Sequence, residues 1–275
     1  TAGKSFPWTE DPILQKYKFT NVYRELDKTT VWFRENIRKH RKNLTGHLLS
    51  TILFRWFNKI ETGEKLMQFS KQRYADALTI FSSYKPRDHQ DVYDYLIKTP
   101  PPYTTGGYII KTPDGMDKIH GVLQCVDWVV MMQTKDTEYN NTIEDLAELI
   151  LQSKSLEKTW KTLTRFKFLG DFMAYEVVTD LRHTPLLENA TDIMTWANPG
   201  PGAMRGINRI EGWDLKSKKN KSLYIDKMRE YLPYFQTEFH DAEMREVEHT
   251  LCEFDKYERV RLNQGKPRGV YTHGK

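Results

Sequence analysis

The residues best suited to chemistry form polar sets inside otherwise apolar or glycine-rich segments. The first set is Asn21, Arg24 and Asp27 in FTNVYRELDKTT, three positions apart. On an α-helix this spacing puts an amide, a guanidinium and a carboxylate on one face. Val31 and Trp32 project to the same side one turn later, which favours a covered polar network. The alternative is a solvated face with an ion pair of about 0.3 kcal/mol.

A second polar set lies on a mostly apolar helix that begins near LTGHLLSTILFRWFNKIE. The members, spaced four, three and four apart, are Thr51, Arg55, Asn58 and Thr62. Arg55 needs a partner there, because an unpaired buried charge costs several kcal/mol. Asp27 is the protein partner we expect, which would make the stripe structural. An anionic ligand is the alternative.

The segment LTRFKFLGDFMAYEVVTDL, residues 163–181, matches half of a helix-hairpin-helix element. Leu169, Gly170 and Ala174 fit its second half, whereas Phe168 stands where the first glycine is expected. The tight turn of such an element lets backbone amides at the next helix N-terminus hold a DNA phosphate. We therefore expect Gly170 and the neighbouring Lys167 to contact DNA. An ordinary helix hairpin is the alternative.

Two carboxylates near this element are candidate bases. Asp192 follows Gly170 by twenty-two residues, a separation similar to that of the aspartate in base-excision enzymes built on this element. Asp180 shares a helix face with Glu176 among apolar residues, where burial would raise the pKa of a carboxyl towards the range of a general base. For Asp192 the other interpretation is a helix-end aspartate bonded to the next loop.

The glycines of NPGPGAMRGINR precede a short basic helix. Gly200 and Gly202 leave backbone amides unobstructed, and Arg205 and Arg209 follow, an arrangement that suits phosphate or pyrophosphate. The lysine and hydroxyl of a Walker motif are missing, so nucleotide hydrolysis is not indicated. A plain turn followed by a basic helix is equally compatible.

The elements that must position these residues are almost all helical. Apolar periodicity predicts helices over residues 13–42, 44–81 and from 116 onward, a capped helix at 141–152 and a long final helix. Strand signals are limited to one small hairpin around YII at 108–110. We expect a mainly α fold, with residues 1–275 as a single domain. Its two lobes, about 13–98 with the C-terminal helix and 116–212, would enclose a central cleft.

Composition indicates a folded protein with a basic surface. The chain has 39% hydrophobic and 13% aromatic residues, a net charge of +5 and a pI of about 8.9. This charge fits a polyanionic partner but also many ordinary soluble proteins. The basic run KSKKNKS would hold DNA phosphates through Lys218, Lys219 and Lys221.

Other function classes receive no support from the sequence. Cys125 and Cys252 lack zinc or disulfide spacing. Metal-like spacings on a helix occur at His240, Glu243, Glu246 and His249, but no HExxH motif is present and a solvated face is an equally good interpretation, so we expect no metal ligand. No apolar run reaches the roughly 18 residues that span a bilayer, and no signal peptide begins the sequence. We expect a cytoplasmic protein without a membrane partner.

Together FTNVYRELDKTT, FRWFNKIET, FLGDFMAYEVVTDL, GPGAMRGI and VEHTLCEFDKYERV resemble the α-glutamyl/putrescinyl thymine pyrophosphorylase family. This family is also described as amino acid:DNA transferases and is similar to the helical domain of 5-hydroxymethyluracil DNA kinases. The resemblance runs over nearly the whole chain, with the motifs in the same order.

The resemblance implies an all-α, DNA-glycosylase-like enzyme of phage thymine hypermodification. A kinase first converts 5-hydroxymethyluracil in DNA to its pyrophosphorylated form, and the family then displaces pyrophosphate with an amine. On this view Arg24, Arg55 and Arg205 neutralise the departing charge. Asn21 and Asn58 bind the edge of a flipped base.

For the base, the resemblance leaves Asp27, Asp180 and Asp192 as alternatives. The partners implied are double-stranded DNA, an amino acid or putrescine as co-substrate, and the upstream kinase. No cofactor is firmly implied, and a divalent metal has no motif to support it. Two rival functions stay open: a DNA glycosylase that releases a modified pyrimidine, and a non-catalytic reader of modified DNA.

Overall fold

The computed structural model describes residues 6–106, 110–135, 141–267 and 269–272. This part of the chain is mainly helical and contains two isolated β-bridges but no sheet, which confirms the predicted fold class. The expected hairpin at 108–110 falls mainly outside the described residues. In chain order the helices are α1 Pro12–Lys16, α2 Lys28–Asn36, α3 Leu44–Phe57, α4 Ile60–Tyr74, α5 Thr79–Ser83, α6 His89–Leu96, α7 Lys118–Val130, α8 Ile143–Ser153, α9 Leu156–Leu163, α10 Asp171–Leu181, α11 Pro201–Ile210, α12 Lys221–Glu238 and α13 Met244–Arg261. None of the described helices has the length and apolar character needed to cross a membrane.

The chain divides into two compact units. Residues 28–192 form one, here called the continuous unit. Residues 1–27 and 193–275 form the other, here called the discontinuous unit. The continuous unit contains α2 to α10, and the discontinuous unit contains α1 and α11 to α13.

Helix α3 is the centre of the continuous unit. Its side chains are buried nearly all round, as its apolar sequence predicts, and α5, α7, α8 and α10 pack against it. The Asn43 side chain accepts the Gly46 N–H and caps the start of the helix. Asn58 ends it in the left-handed conformation, with φ of 46°, which asparagine tolerates better than most residues.

The discontinuous unit is built on the contact between α11 and α13. A Cβ added at Gly206 would lie 2.3 Å from the Leu251 carbonyl oxygen, and one at Gly202 would lie 2.4 Å from Cys252 Sγ. Two glycines one turn apart on α11 therefore let its backbone approach α13 so closely that no side chain fits between them at these positions. The two sequence segments of this unit are joined by backbone bonds, from Lys18 N–H to the Gly269 carbonyl and from Tyr271 N–H to the Lys16 carbonyl, each 3.0 Å.

The predicted helix over residues 13–42 is wrong between α1 and α2. Residues 18–23 are not helical, and a short 3-10 turn occupies Arg24–Leu26. Their backbone donors are used elsewhere: the Thr20 N–H, for example, donates to Glu253 Oε2 on α13 at 3.0 Å. These long-range bonds replace the i to i−4 bonds of a helix. The predicted helix over 44–81 is likewise divided, at Asn58 and at Ala75, both with positive φ.

Several predicted helix starts are confirmed by their caps. Thr142 Oγ1 accepts the Asp145 N–H in a reciprocal capping box at the start of α8. Asp117 caps α7 by accepting the Ile119 and His120 N–H groups. The predicted turn near Phe168 to Gly170 separates α9 from α10.

Replacing Gly206 with alanine is expected to lower the free energy of unfolding by about 1–3 kcal/mol, because the new methyl overlaps backbone atoms that cannot rotate away. At Gly106 an added Cβ would meet no atom within 4 Å, so Gly106→Ala is the matched control and should change little. Urea unfolding of both variants measures the difference. Equal stability of Gly206→Ala and wild type would contradict the close contact.

His47 is expected to make stability depend on pH. Burial, with help from the Arg41 and Arg38 charges, lowers the pKa of this α3 imidazole from 6.5 to about 4. Protonation therefore favours the unfolded chain. The free energy of unfolding should fall as pH decreases from about 6.5 towards about 4, by an amount on the order of 1 kcal/mol after solvent screening. In His47→Gln this part of the pH dependence should disappear. Urea unfolding at several pH values measures it. A variant whose free energy of unfolding changes with pH as much as that of wild type would contradict the expectation.

Candidate functional site

Arg55 is held at the centre of the continuous unit by protein groups. Its side chain is 1% exposed, and its Nε and Nη2 donate to the two carboxylate oxygens of Asp180 on α10, which is 0% exposed. Nη1 donates to Asn58 Oδ1 at 2.7 Å, and Nη2 also donates to Thr30 Oγ1 at 2.8 Å. The carboxylate partner is thus Asp180, and the expectation of Asp27 was wrong.

The aromatic rings of Phe33 and Phe54 complete this environment, with their centroids 5.7 and 5.5 Å from the Arg55 guanidinium carbon. A buried ion pair of this kind is stable only when its hydrogen bonds are also satisfied, as they are here. The polar stripe of α3 therefore has the structural role that the sequence left open. A substrate-binding role for Arg55 and Asn58, and a catalytic role for Asp180, stay predictions.

Asp192 receives three donors from the start of α9. Ser155 Oγ donates to its carboxylate at 2.7 Å, and the Leu156 and Glu157 N–H groups donate at 2.7 and 3.0 Å. An aspartate in this position neutralises the unpaired amides and the positive end of the helix dipole. This is the helix-end arrangement expected as the alternative for Asp192. Its role as a base stays a prediction.

The turn between α9 and α10 contains a left-handed residue at the position of the missing glycine. Phe168 has φ of +60°, the left-handed conformation that glycine adopts without strain. Gly170 is the N-cap of α10, and no atom lies within 4 Å of its missing Cβ. The Lys167 Nζ lies 5.3 Å from the centroid of the Trp128 ring. Phosphate binding by Gly170 and Lys167 stays a prediction.

The start of α11 already faces a carboxylate. The Gly200 N–H donates to Glu248 Oε1 of α13 at 3.2 Å. Gly202, as described above, is required by the contact with Cys252. Helix packing thus explains Gly202, whereas the bond of the Gly200 N–H to Glu248 does not require a glycine. A phosphate at this N-terminus stays a prediction.

A group of positive charges in the discontinuous unit surrounds Asp255 of α13. Arg205 Nε lies 2.8 Å from Oδ2, Arg209 Nε lies 3.0 Å from Oδ1, and Arg259 Nε lies 3.3 Å from Oδ2. We call these three the arginine cluster. Asp255 is the buried carboxylate that these three arginines share, and Glu258 also interacts electrostatically with Arg209, so positive charge is in excess around Asp255. Because the Arg205 and Arg259 side chains are 37% and 34% exposed, the cluster can meet an anion from solvent.

The first polar set is also in the discontinuous unit, but not on one helix face. Asn21 is exposed and its Oδ1 accepts the Tyr23 N–H at 3.0 Å. Arg24 is buried in the 3-10 turn, and the half-buried Asp27 follows it. The predicted helical face was wrong, because the segment is not helical before Arg24 and the Thr20 N–H donates to the distant Glu253 side chain. Their binding and catalytic roles stay predictions.

The predicted basic run lies between α11 and α12. Lys218 and Lys219 are exposed, and Lys221 begins α12 half-buried. Lys219 Nζ lies 5.5 Å from the Trp213 ring centroid. Their contact with DNA stays a prediction.

A half-buried histidine that sequence reasoning missed, His89, begins α6 and contacts Asp127 of α7. His89 Nδ1 lies 2.5 Å from Asp127 Oδ2, and the Tyr84 hydroxyl donates to Asp127 Oδ1 at 2.7 Å. Burial and the Asp127 charge raise the pKa of Tyr84 well above its usual range, so it stays a donor. The carboxylate fixes the tautomer that leaves the lone pair on Nε2, an atom buried without a hydrogen-bond partner among the described residues. His89 and Asp127 are 38 positions apart, and this separation forms no motif.

No group of three or more histidine, cysteine, aspartate or glutamate side chains in the described ranges is arranged to hold a metal ion. Burial raises the pKa of the Cys125 and Cys252 thiols to about 12, so neither is a thiolate at neutral pH. Nucleophilic chemistry by these cysteines therefore receives no support.

Breaking the buried ion pair is expected to be costly. Asp180→Asn and Arg55→Met should each lower the free energy of unfolding by about 3–5 kcal/mol, because each leaves a buried charge without its partner. The double variant Arg55→Met/Asp180→Leu should lose much less than the sum. Urea unfolding measures all three.

The exposed pair Arg229 and Asp226 serves as control, with side chains 46% and 55% exposed. Its removal should cost between 0 and about 1 kcal/mol. Single variants of Arg55 and Asp180 that cost no more than this control would contradict the structural role of the pair.

Comparison with known proteins places the chain in a family. The family model of the helical domain of 5-hmdU DNA kinase matches residues 1–267. The 5-hmdU DNA kinase of Bacillus phage SP10 is 25% identical over 283 residues, which cover 93% of this chain and 41% of the kinase. The chain thus spans about two fifths of the length of this relative. No solved structure matches it.

These matches confirm the resemblance to the kinase helical domain that the ordered motifs indicate. Because the family model covers nearly the whole sequence, the chain belongs to the family of the helical domain of 5-hmdU DNA kinases.

Proposed function

We propose that the chain is a transferase that acts on 5-pyrophosphoryloxymethyluracil in phage DNA and replaces its pyrophosphate with an amine. Membership in the 5-hmdU DNA kinase helical-domain family carries this proposal. The phage relative is named as a kinase for 5-hmdU in DNA, and a phosphorylated 5-hydroxymethyl group is the substrate that a displacement enzyme needs. The ordered motif set described above supports the same reaction.

At the exocyclic carbon the reaction forms one carbon–nitrogen bond and breaks one carbon–oxygen bond. The amine nitrogen attacks the exocyclic methylene carbon, the carbon–oxygen bond breaks, and pyrophosphate leaves with the electron pair. The amine loses a proton. Since pyrophosphate is already a good leaving group, the protein mainly needs to neutralise its charge, orient the amine and accept the proton.

We assign the neutralising role to the arginine cluster. Its excess of positive charge and the exposure of Arg205 and Arg259 suit a polyanionic leaving group. Arg55, in contrast, is neutralised by Asp180. Arg205 is therefore the arginine that we expect to contact pyrophosphate.

The remaining assignments follow from the chain's own polar groups. Asp27 lies in the same unit as the arginine cluster, and we assign it to orient or deprotonate the amine. Asn21, exposed in that unit, is the amide that we assign to the pyrimidine edge. Lys218, Lys219 and Lys221 would hold DNA phosphates and give binding a strong dependence on salt. The base must leave the stack to react.

Arg205→Gln is expected to lower the rate of amine transfer by roughly 10- to 1000-fold, because one donor to the developing negative charge is lost. The assay incubates the chain with DNA that carries the pyrophosphorylated base and a panel of amines, followed by mass spectrometry of the nucleosides. Arg229→Gln, which removes an exposed arginine of the same unit, should leave the rate unchanged.

Three other results would overturn parts of this proposal. Abasic sites in the product DNA would indicate a glycosylase. Tight binding of the modified DNA with no product for any amine would indicate a non-catalytic reader. Equal loss in Arg205→Gln and Arg229→Gln would remove the arginine cluster from the reaction.

A further inference from the structure

An exposed group of aromatic side chains surrounds the turn between α9 and α10. Phe168 stacks on Trp128 of α7, with ring centroids 5.6 Å apart and planes 20° from parallel. The outer part of Phe168 remains 39% exposed, and Phe172 in the first turn of α10 is 48% exposed. We call Trp128, Phe168 and Phe172 the aromatic surface. A flat ring that is supported from below and open above can accept another ring.

The backbone does not explain phenylalanine at position 168, and the stack on Trp128 leaves 39% of the residue exposed. A bulky side chain in the left-handed conformation is strained, whereas glycine would adopt φ of +60° freely. The exposed part of the ring gains nothing from burial. Strained backbone that presents a solvent-exposed group is a reason to look for a ligand.

The charges beside the aromatic surface favour an anionic partner. Lys167 Nζ lies over the Trp128 ring. Lys135 follows α7, its N–H donates to the Arg165 carbonyl at 2.8 Å, and its Nζ donates to the Thr164 carbonyl at 2.6 Å. Asp171 is the acidic residue at the start of α10. Among the residues named here that the structure describes, the three cations Lys135, Arg165 and Lys167 outnumber the Asp171 carboxylate.

We propose that the aromatic surface stacks an unpaired nucleobase of DNA, with Phe168 against the base and Lys135, Arg165 and Lys167 near the adjoining phosphates. Aromatic rings interleaved with cations are the chemistry by which proteins hold unstacked bases. This inference rests on the proposed function, because a reaction on a flipped base leaves a disrupted stack that must be held open. It adds a binding site that the reacting groups do not supply.

The test uses unmodified DNA, so it does not depend on the transfer reaction. A duplex with a single bulged 2-aminopurine is titrated with the chain, and fluorescence reports both affinity and stacking. We expect tighter binding than to the fully paired duplex and quenching of 2-aminopurine. Phe168→Gly should weaken binding to the bulged duplex by roughly 5- to 150-fold and remove the quenching.

Phe168→Gly removes the ring and its stack on Trp128, and it also relieves the backbone strain. Urea unfolding therefore establishes that the variant is folded under the binding conditions before its affinity is compared with that of wild type. Phe168→Trp should restore quenching, and Phe172→Ala should weaken binding in the same direction. Phe239→Ala, which removes another exposed ring (49% exposed), is the matched control and should bind as wild type does.

Unchanged affinity and quenching in Phe168→Gly would overturn the inference, as would equal losses in Phe168→Gly and Phe239→Ala. The two proposals can fail separately. A chain that stacks the bulged base through Phe168 but transfers no amine would retain this inference and lose the proposed function. If Phe168→Gly transfers the amine with full activity and wild type does not quench the bulged base, the proposed function is retained and this inference is lost.

Discussion

The buried ion pair of Arg55 and Asp180 is the constraint on which the continuous unit depends. A guanidinium that is 1% exposed must find its partners inside the protein. Here those partners come from three helices, since Thr30 belongs to α2, Asn58 ends α3 and Asp180 lies on α10. Apolar packing alone tolerates many small shifts of one helix along another. Four directional hydrogen bonds tolerate few, so the pair fixes the register of α10 against α3.

Local sequence signals predicted most helices correctly but failed where distant backbone competes. Helix α3 could be read from its apolar residues, and α8 from Thr142 followed by Asp145. Residues 19–27 have an equally periodic sequence, yet the backbone before Arg24 bonds to Glu253 and its neighbouring segment to Gly269. Apolar periodicity predicts which face of a helix is buried, provided that the segment forms a helix. It does not report a bond to a residue more than two hundred positions away.

In the candidate site, too, the sequence predicts the chemistry of a side chain but not the residue that it contacts. The sequence predicted that Arg55 needs a partner, but Asp180 is 125 positions away and could not be chosen over Asp27. Gly202 has the residue type that suits a phosphate loop, and only the structure shows Cys252 against it. His89 carried no signal, because its chemistry comes from Asp127 on another helix. Side-chain chemistry could be predicted in each case, and the neighbour that determines its use could not.

The discontinuous unit has a consequence for biosynthesis. Its α1 segment is made early, but α11 and α13, which provide its main helix contact, follow only after all of residues 28–192. The continuous unit can therefore complete its core on the ribosome while residues 6–27 still lack the segment they pair with. Until translation passes Tyr271, the backbone at Lys16 and Lys18 remains open to solvent or to a chaperone. Residues 6–27 therefore wait for their partner segment while the intervening residues 28–192 are synthesised.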